Sequence, residues 1–382
     1  MNFPSDASNN SLQRAVVTAF DKEMMQRCLS LARNALGRTA PNPLVGSVVV
    51  LNGEIIGEGF HPGAGQPHAE VFALKAAGSR ATGATLYVNL EPCNHYGRTP
   101  PCSEAVVDSK VAKVVVGMVD PDPRVSGGGI ARLRSAGIEV VVGVEEADCR
   151  LLNEAFIHRI VYHQPFGILK YAMTLDGKIA TSNGHSAWIT GEAARSEVHK
   201  LRGACDAIII GGNTLRLDNP KLTSRLGEAK NPLRVVMSRT LDLPAEAHLW
   251  QEIASAPTLV LTAVGVNRDF QQMLLAKGVM VVELDPLTPT EAMKYLYSLG
   301  IMSVLWECGG TLAASAISCG AVQKVLAFIA PKIIGGSQAF SPVGELNLTN
   351  MTQALTLERY KARSVGADWL IEGYFPLKQI PQ

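Results

Sequence analysis

The sequence lacks a charge excess of either sign. Its 35 Lys and Arg nearly cancel its 34 Asp and Glu, leaving a formal net charge of +1. Without a strong basic field to hold a polyanion by counterion release, nucleic acid is not the expected partner. No apolar run approaches the roughly 18 residues that span a bilayer, and the opening MNFPSDASNNSLQR carries no hydrophobic segment of the secretory kind. The seven cysteines, at 28, 93, 102, 149, 205, 308 and 319, are an odd number scattered through a long chain, which excludes a disulfide framework and fits a reducing compartment. Aromatics are sparse at 6%, but 47% apolar and 18% charged residues make an ordinary globular composition rather than a disordered or fibrous one. A soluble cytoplasmic protein acting on small molecules is the expectation.

A length of 382 residues predicts two domains. Residues 1–20, rich in Ser, Asn and Asp and without periodicity, read as a loose arm. From Asp21, a candidate N-cap, Met25, Leu29, Ala32 and Leu36 recur at helical spacing, with Gly37 as the expected stop. Asn52-Gly53 between two apolar runs signals a hairpin. Helices near 68–77, after Cys102 and near 130–135 then alternate with strands near 84–90, 114–119 and 138–144. That pattern predicts an α/β layered domain over 21–163 with a mainly parallel sheet. A helical stretch over 145–163 ends at Gln164-Pro165, where the boundary is placed. Over 164–382, strands near 207–210, 233–237, 258–261, 279–282, 303–306 and 324–328 alternate with helical patterns, predicting a second α/β domain.

In the first half, His68-Ala69-Glu70 opens a helix, Leu90-Glu91-Pro92-Cys93 closes a strand, and Cys102 follows Pro100-Pro101. One imidazole and two thiolates leave a tetrahedral zinc one open position for water. Each cysteine stands where the chain enters a helix, whose positive end favours the thiolate. Glu70 is placed to carry a proton from that water to a substrate nitrogen and leaving ammonia. His-x-Glu with Pro-Cys and a second Cys is the signature of zinc-dependent base deaminases, although here NHYGRTPP, eight residues, separates the cysteines. Cys28, Cys149, Cys205, Cys308 and Cys319 have no such neighbours in sequence and read as packing residues.

The blocks TAPNPLVGSVVV, HPGAGQPHAEVFAL, LEPCNHYGRTPPC and MVDPDP together resemble the deaminase domain of the bifunctional riboflavin-biosynthesis deaminase/reductase family, over roughly residues 22 to 160. The resemblance implies a cytidine-deaminase-like α/β/α fold, with His68, Cys93 and Cys102 as metal ligands and Glu70 as the catalytic group. It also implies Asn42 at the pyrimidine edge, His61, His95 and Arg98 around the ring and ribose phosphate, and Asp120 at a polar turn. Asp122 stands where that family commonly has Asn, and Asn94 where Ser is usual. A carboxylate at 122 repels a phosphate unless something pairs with it.

No G-x-G-x-x-G follows a predicted strand in the second half, which disfavours a Rossmann domain. Gly309-Gly310 instead lies between the strand VLW and a helix, where bare N–H groups form an anion site. The blocks KYAMTLDGKIATSNGHSAWIT, LRGACDAIIIGGNTLRLDNPKLTSR and WECGGTLAASA resemble the reductase domain of the same family, over roughly 166 to 372, with a dihydrofolate-reductase-like α/β fold. On that resemblance Ala172, Trp188, Thr214, Asp218, Ser238, Gly309, Gly310, Thr311, Leu312, Ala313, Ala314 and Ser315 contact NADPH. Lys170, Ser186, Arg202, Leu222, Arg225 and Glu307 hold the phosphoribosyl substrate. Arg202 and Arg225 suit a grip on its phosphate, and Ser238-Arg239 the 2′-phosphate of the cofactor.

The implied protein is a zinc- and NADPH-dependent bifunctional enzyme, expected to be a homo-oligomer. One rival is a zinc deaminase for nucleosides or RNA bases with a non-catalytic C-terminal binding or oligomerisation module, against which the near-neutral charge argues for the RNA case. Another is a zinc-stabilised structural protein, which needs a closed four-ligand site where the sequence offers three ligands.

Overall fold

The computed structural model describes residues 17–96, 100–225 and 230–376. The chain divides into two compact units, one of Met1–Asn34, Leu44–His61 and Gly65–Leu152 and the other of Ala35–Pro43, Pro62–Ala64 and Asn153–Gln382.

The first unit runs α1 (Ala19–Arg33), β1 (Gly46–Leu51), β2 (Glu54–Phe60), α2 (Ala69–Ala77), β3 (Thr85–Leu90), α3 (Cys102–Asp108), β4 (Lys113–Met118), α4 (Gly128–Ser135), β5 (Glu139–Val142) and α5 (Glu146–Leu152). The sheet order is β2-β1-β3-β4-β5, with β1 antiparallel to both neighbours and β3, β4 and β5 parallel. Asn52 and Gly53, at φ 53° and 80°, form the two-residue turn of the β1–β2 hairpin. GSVVVL, TLYVNL and KVVVGM are nearly continuous apolar runs because β1, β3 and β4 are buried on both faces. Helix α1 begins at Ala19, within the stretch expected to be a loose arm, and residues 1–16 of that arm lie outside the described residues. Its N-cap is Thr18 rather than Asp21. The Thr18 hydroxyl accepts the Asp21 N–H at 3.1 Å while Asp21 accepts the Thr18 N–H at 2.9 Å, so Asp21 completes a capping box. Tyr87 of β3 donates to the other Asp21 oxygen at 2.9 Å, tying the helix start to the sheet. Asn34 caps the other end, so the helix stops ahead of Gly37.

The second unit comprises α6 (Glu154–Tyr162), β6 (Phe166–Thr174), α7 (Glu192–Ala204), β7 (Ala207–Gly211), α8 (Gly212–Asp218), β8 (Leu233–Ser238), β9 (Thr258–Ala263), α9 (Arg268–Ala276), β10 (Met280–Leu284), α10 (Pro289–Ser298), β11 (Ser303–Trp306), α11 (Gly310–Ser318), β12 (Lys324–Ala330), β13 (Glu358–Val365) and β14 (Asp368–Tyr374). Its sheet order is β10-β9-β8-β7-β11-β6-β12-β14-β13; the strands from β10 to β12 are parallel, and β14 and β13 add antiparallel. Both faces are covered, and side chains alternate between two cores. Ile208, Ile210, Val236, Val260 and Leu305 pack on one side, and Ile209, Val235, Leu259, Leu261, Val304 and Trp306 on the other. The hairpin β13–β14 has no counterpart in the sequence reading. As an edge strand, ERYKARSV is exposed at every residue but Val365, so no apolar alternation marks it.

The helical stretch 145–163 breaks at Asn153 into α5 and α6, and α6 belongs to the second unit, ahead of the boundary expected at 164. Two hydrogen bonds explain the grouping: Tyr374 donates to Glu154 at 2.7 Å and Lys324 at 3.2 Å. Arg159 also donates to the Ile301 carbonyl at 2.9 Å.

His158 of α6 is buried against the rings of Tyr162 and Phe166, at 4.7 and 5.5 Å between centroids, and its Nε2 has no hydrogen-bond partner. Burial pushes its pKa from 6.5 down to about 4. The folded imidazole stays neutral where the unfolded one is protonated, so stability is intact above 6.5 and falls as pH drops towards about 4. The loss is about 3 kcal/mol. His158→Phe, which keeps the ring contacts, should remove that component; denaturation of wild type and variant at neutral and acid pH measures it, and equal acid losses in the two proteins would refute it.

Candidate active sites

In the first unit a Gly/Pro loop feeds α2, and His68 is the N-cap of that helix, in extended backbone at φ −79° and ψ 167°. Cys93 follows β3, and Cys102 is the first residue of α3. These junctions bring the three side chains together. His68 Nδ1 lies 3.0 Å from Cys102 Sγ and 3.5 Å from Cys93 Sγ, and the Cys102 N–H donates to Cys93 Sγ at 3.3 Å. Among the described residues this is the one group of three or more His, Cys, Asp or Glu side chains whose ligand atoms lie within 4.8 Å of one another. The Cys102 thiol stabilises a Cys93 thiolate, helped by His68, so Cys93 is pushed well down and Cys102 well up. Two sulfurs and one nitrogen at this spacing fit a zinc ion with one open position.

Glu70, in the first turn of α2, is buried, and burial pushes its carboxyl up to about 7. Its Oε2 has no hydrogen-bond partner. A buried orphan oxygen beside three metal-ligand atoms requires a further polar group, and a metal-bound water meets that need.

The surrounding residues separate by environment. His61 is buried, its Nδ1 lies 3.1 Å from the Pro67 carbonyl, and its ring meets that of His68 edge-on at 5.2 Å. Burial lowers its pKa. Asn42 is half-buried in a turn closed by its N–H on the Thr39 carbonyl at 2.8 Å, in the segment Ala35–Pro43 that groups with the second unit. His95 is exposed, and Arg98 lies outside the described residues. Asp120 is buried, which raises its carboxyl to about 6, and it accepts the Asp122 N–H at 2.8 Å. Asp122 chelates Arg124, accepting from Nε at 2.9 and 3.0 Å and from an amino group at 2.5 Å, and that partner holds it below the usual carboxylate range. The carboxylate in place of the family Asn is thus neutralised within its own turn.

Glu91 escaped the sequence reading. Its buried carboxylate accepts the N–H groups of Asp120, Gly127 and Ile130 at 3.2, 2.9 and 3.1 Å, fastening the 120–130 segment beside the chain that carries Cys93. Its position directly before Pro92-Cys93 was the available signal.

In the second unit the carboxyl ends of β6, β7, β8 and β11 open into a cleft of about 740 Å³. Lys170, Ala172, Ser186, Arg202, Thr214, Asp218, Leu222, Ser238, Glu307, Gly309, Gly310, Thr311, Leu312 and Ser315 line it. Ala313 and Ala314 do not; they are buried on the packed side of α11. Trp188 and Arg225 also fall outside the wall, Trp188 exposed beneath the Arg195 guanidinium at 4.4 Å. Gly309 caps α11 without a side-chain bond, and a Cβ there would meet nothing within 4 Å, leaving the first N–H groups of the helix open. Gly310 is required for another reason: a Cβ would lie 2.6 Å from the Ser341 carbonyl oxygen.

Arg202 does not offer its fork to the cleft. Its Nε and one amino nitrogen bind Glu307 at 2.7 and 2.9 Å, with Lys170 Nζ 3.7 Å from the same carboxylate. Burial alone would raise the Glu307 pKa, but Arg202 and Lys170 hold it at about 2. Ser186 donates to Asp218 at 2.8 Å. Arg216 and Arg239 also line the cleft, Arg216 held by Asn213 and the Asp242 carbonyl. Arg216 has no signal in the sequence, because an Arg in a short helix carries no motif. An open helix start, two cations and this volume fit a phosphorylated dinucleotide such as NADPH.

Residues 18–118 match the family described as the cytidine and deoxycytidylate deaminase zinc-binding region, and residues 165–371 match the RibD C-terminal domain. The chain is 60% identical over 355 residues to a riboflavin biosynthesis protein RibD of Synechocystis sp., covering 93% of this chain and 96% of that relative. It resembles the solved RibD of Acinetobacter baumannii with a TM-score of 0.85 at 37% identity, over 94% of this chain and 99% of that one. A diaminohydroxyphosphoribosylaminopyrimidine deaminase/5-amino-6-(5-phosphoribosylamino)uracil reductase of Thermotoga maritima gives 0.82 at 35% identity, over 94% and 99%. With a formed His/Cys/Cys group in one unit and a nucleotide-sized cleft in the other, the chain belongs to the RibD family, the bifunctional deaminase and reductase of riboflavin biosynthesis.

Proposed function

We propose that the first unit hydrolytically deaminates 2,5-diamino-6-(5-phosphoribosylamino)pyrimidin-4-one and that the second reduces the ribosyl group of the product to ribityl. The carrying observation is the partnerless Glu70 oxygen beside the His68, Cys93 and Cys102 cluster. Bound zinc lowers the pKa of water from 15.7 to about 7. Glu70 takes one proton of the attacking water and passes it to the ring nitrogen, then carries the second, from the hydroxyl now on the ring carbon, to the amino group, which leaves as ammonia while that oxygen becomes the carbonyl. Its raised pKa, about 7, suits a group that must both accept and donate. Asn42, His61, His95, Arg98 and Asp120 are assigned to the pyrimidine and its ribose phosphate.

In the second unit NADPH supplies the hydride. The open N–H groups at Gly309–Leu312 would hold its pyrophosphate, Ala172, Thr214, Asp218 and Ser315 would flank it, with Trp188 assigned to its edge next to the wall residue Ile189, and Ser238 with Arg239 would meet the 2′-phosphate. Lys170 keeps a proton at Nζ beside the sugar, its charge secured by Glu307. Ser186 and Leu222 of the wall hold the phosphoribosyl group together with Arg225, three residues beyond Leu222 where the chain leaves the wall, and Arg202 orients Glu307. Seven unpaired cysteines support a reducing, cytoplasmic setting. No helix among the described residues is long and apolar enough to cross a membrane. The exposed edge strand β13, with Tyr360 uncovered, supports assembly of copies. A non-catalytic second half is disfavoured by its match to the RibD C-terminal domain.

Three outcomes test this reading. Glu70→Gln should retain zinc and lose about 10²- to 10⁴-fold in deamination, whereas Cys93→Ser should lose the metal; metal analysis of both proteins decides, and a zinc-free Glu70→Gln protein would reverse the assigned roles. Arg202→Ala should cut reduction at least about tenfold by leaving Glu307 half-paired, yet spare deamination, because the two sites are built on separate units and share no partner. Equal loss of both activities in the folded variant would count against two separate sites. Arg239→Ala, or failing that Ser238→Ala, should weaken NADPH binding roughly tenfold to a hundredfold and leave NADH nearly unchanged. Cofactor titrations showing equal weakening of both would place these residues away from the 2′-phosphate.

A further inference from the structure

One titratable group on the helix that carries Arg202 has no part in either reaction. His199 lies on α7 three residues before Arg202, on the same helical face. Its Nδ1 is 3.3 Å from the carbonyl oxygen of Thr223, in a segment whose neighbours Leu222 and Arg225 both hold positive φ, 54° and 53°. Neither is glycine, so this backbone is strained, and strain of this kind collects at functional sites. His199 faces charges from three elements: Arg202 on its own helix, Arg225 on the strained segment and Glu307 at the end of β11.

The charge balance there is short of what a phosphate needs. A phosphate monoester carries about −1.5 to −2 at neutral pH, but Glu307 already takes the Arg202 fork at 2.7 and 2.9 Å. Arg225 alone does not match the ligand. We propose that His199 takes up a proton from solvent when the phosphate of the substrate binds at Arg225, and so becomes the second cation of the phosphate grip. The inference rests on the reading that Arg225 holds the phosphoribosyl group. With Nδ1–H donated to Thr223, the incoming proton adds at Nε2. Burial, then Arg202 and Arg225, lower the imidazole pKa against the opposing pull of the Thr223 carbonyl and Glu307. A dianion between the cations reverses the sign of that field. The reductase half therefore binds phosphorylated ligands more tightly as pH falls through the histidine range.

Inorganic sulfate tests this, because it stays dianionic while histidine titrates. In the full-length protein, imidazole NMR titrations follow the eight histidines, and loss of one resonance in His199→Gln assigns His199. Sulfate should raise the His199 pKa by about one unit, which means about tenfold tighter binding to the protonated form, and Arg225→Ala should abolish the rise. In reductase kinetics, His199→Gln should raise KM for the phosphoribosyl substrate severalfold and flatten its pH dependence, with kcat within about twofold of wild type. A His199 resonance indifferent to sulfate overturns the inference, as does a response that survives Arg225→Ala. If Arg225→Ala raises KM while His199 ignores sulfate, only the role of His199 is lost; if Arg225→Ala leaves KM unchanged, the underlying phosphate assignment fails with it.

Discussion

Every helix begins with N–H groups that no residue of the helix satisfies, and this chain places its chemistry where that deficit meets the carboxyl ends of parallel strands. His68 caps α2 and Cys102 opens α3. Glu91 spends its carboxylate on the amides at the start of α4, and Gly309 leaves the start of α11 bare. The same electrostatic asymmetry that favours a thiolate at one junction favours a pyrophosphate at another. Both units thus solve different problems with one piece of backbone physics, and the sheets hold those junctions at fixed spacing.

Buried charge sets the second constraint. Glu307 lies in a setting that would by itself neutralise it, and it stays ionised because Arg202 and Lys170 stand on either side. That trio costs the cleft a free arginine fork but keeps the Lys170 ammonium paired in the cleft wall. Asp122 and Arg124 show the same economy on a smaller scale, since a neighbour two residues away pairs with the acidic side chain.

Much of this was legible in the sequence, for identifiable reasons. The zinc ligands and Glu70 announce themselves because coordination demands particular residue types at junctions, and strand runs such as AIII and RVVM are apolar because both faces of a parallel sheet are covered. What stayed hidden depends on partners far along the chain. Glu91 acts through amides some thirty residues away, and His199 matters only because the fold brings Arg225 and Glu307 to it. Thr18 displaced Asp21 as the cap because either residue suits that role and only the backbone chooses. The edge strand β13 escaped because a strand with two wet faces carries no alternating pattern.

The position of β11 has a consequence for how the protein is made. In the sheet it lies between β6 and β7, yet along the chain it follows β8, β9 and β10. A nascent polypeptide emerging in order from the ribosome therefore cannot complete the β6–β11–β7 pairing until residues 303–306 appear. Glu307, at the end of that late strand, brings the charge that Arg202 and Lys170 require. The reductase half therefore acquires its sheet centre and its active-site electrostatics in one late step, and a chain released before Trp306 has neither.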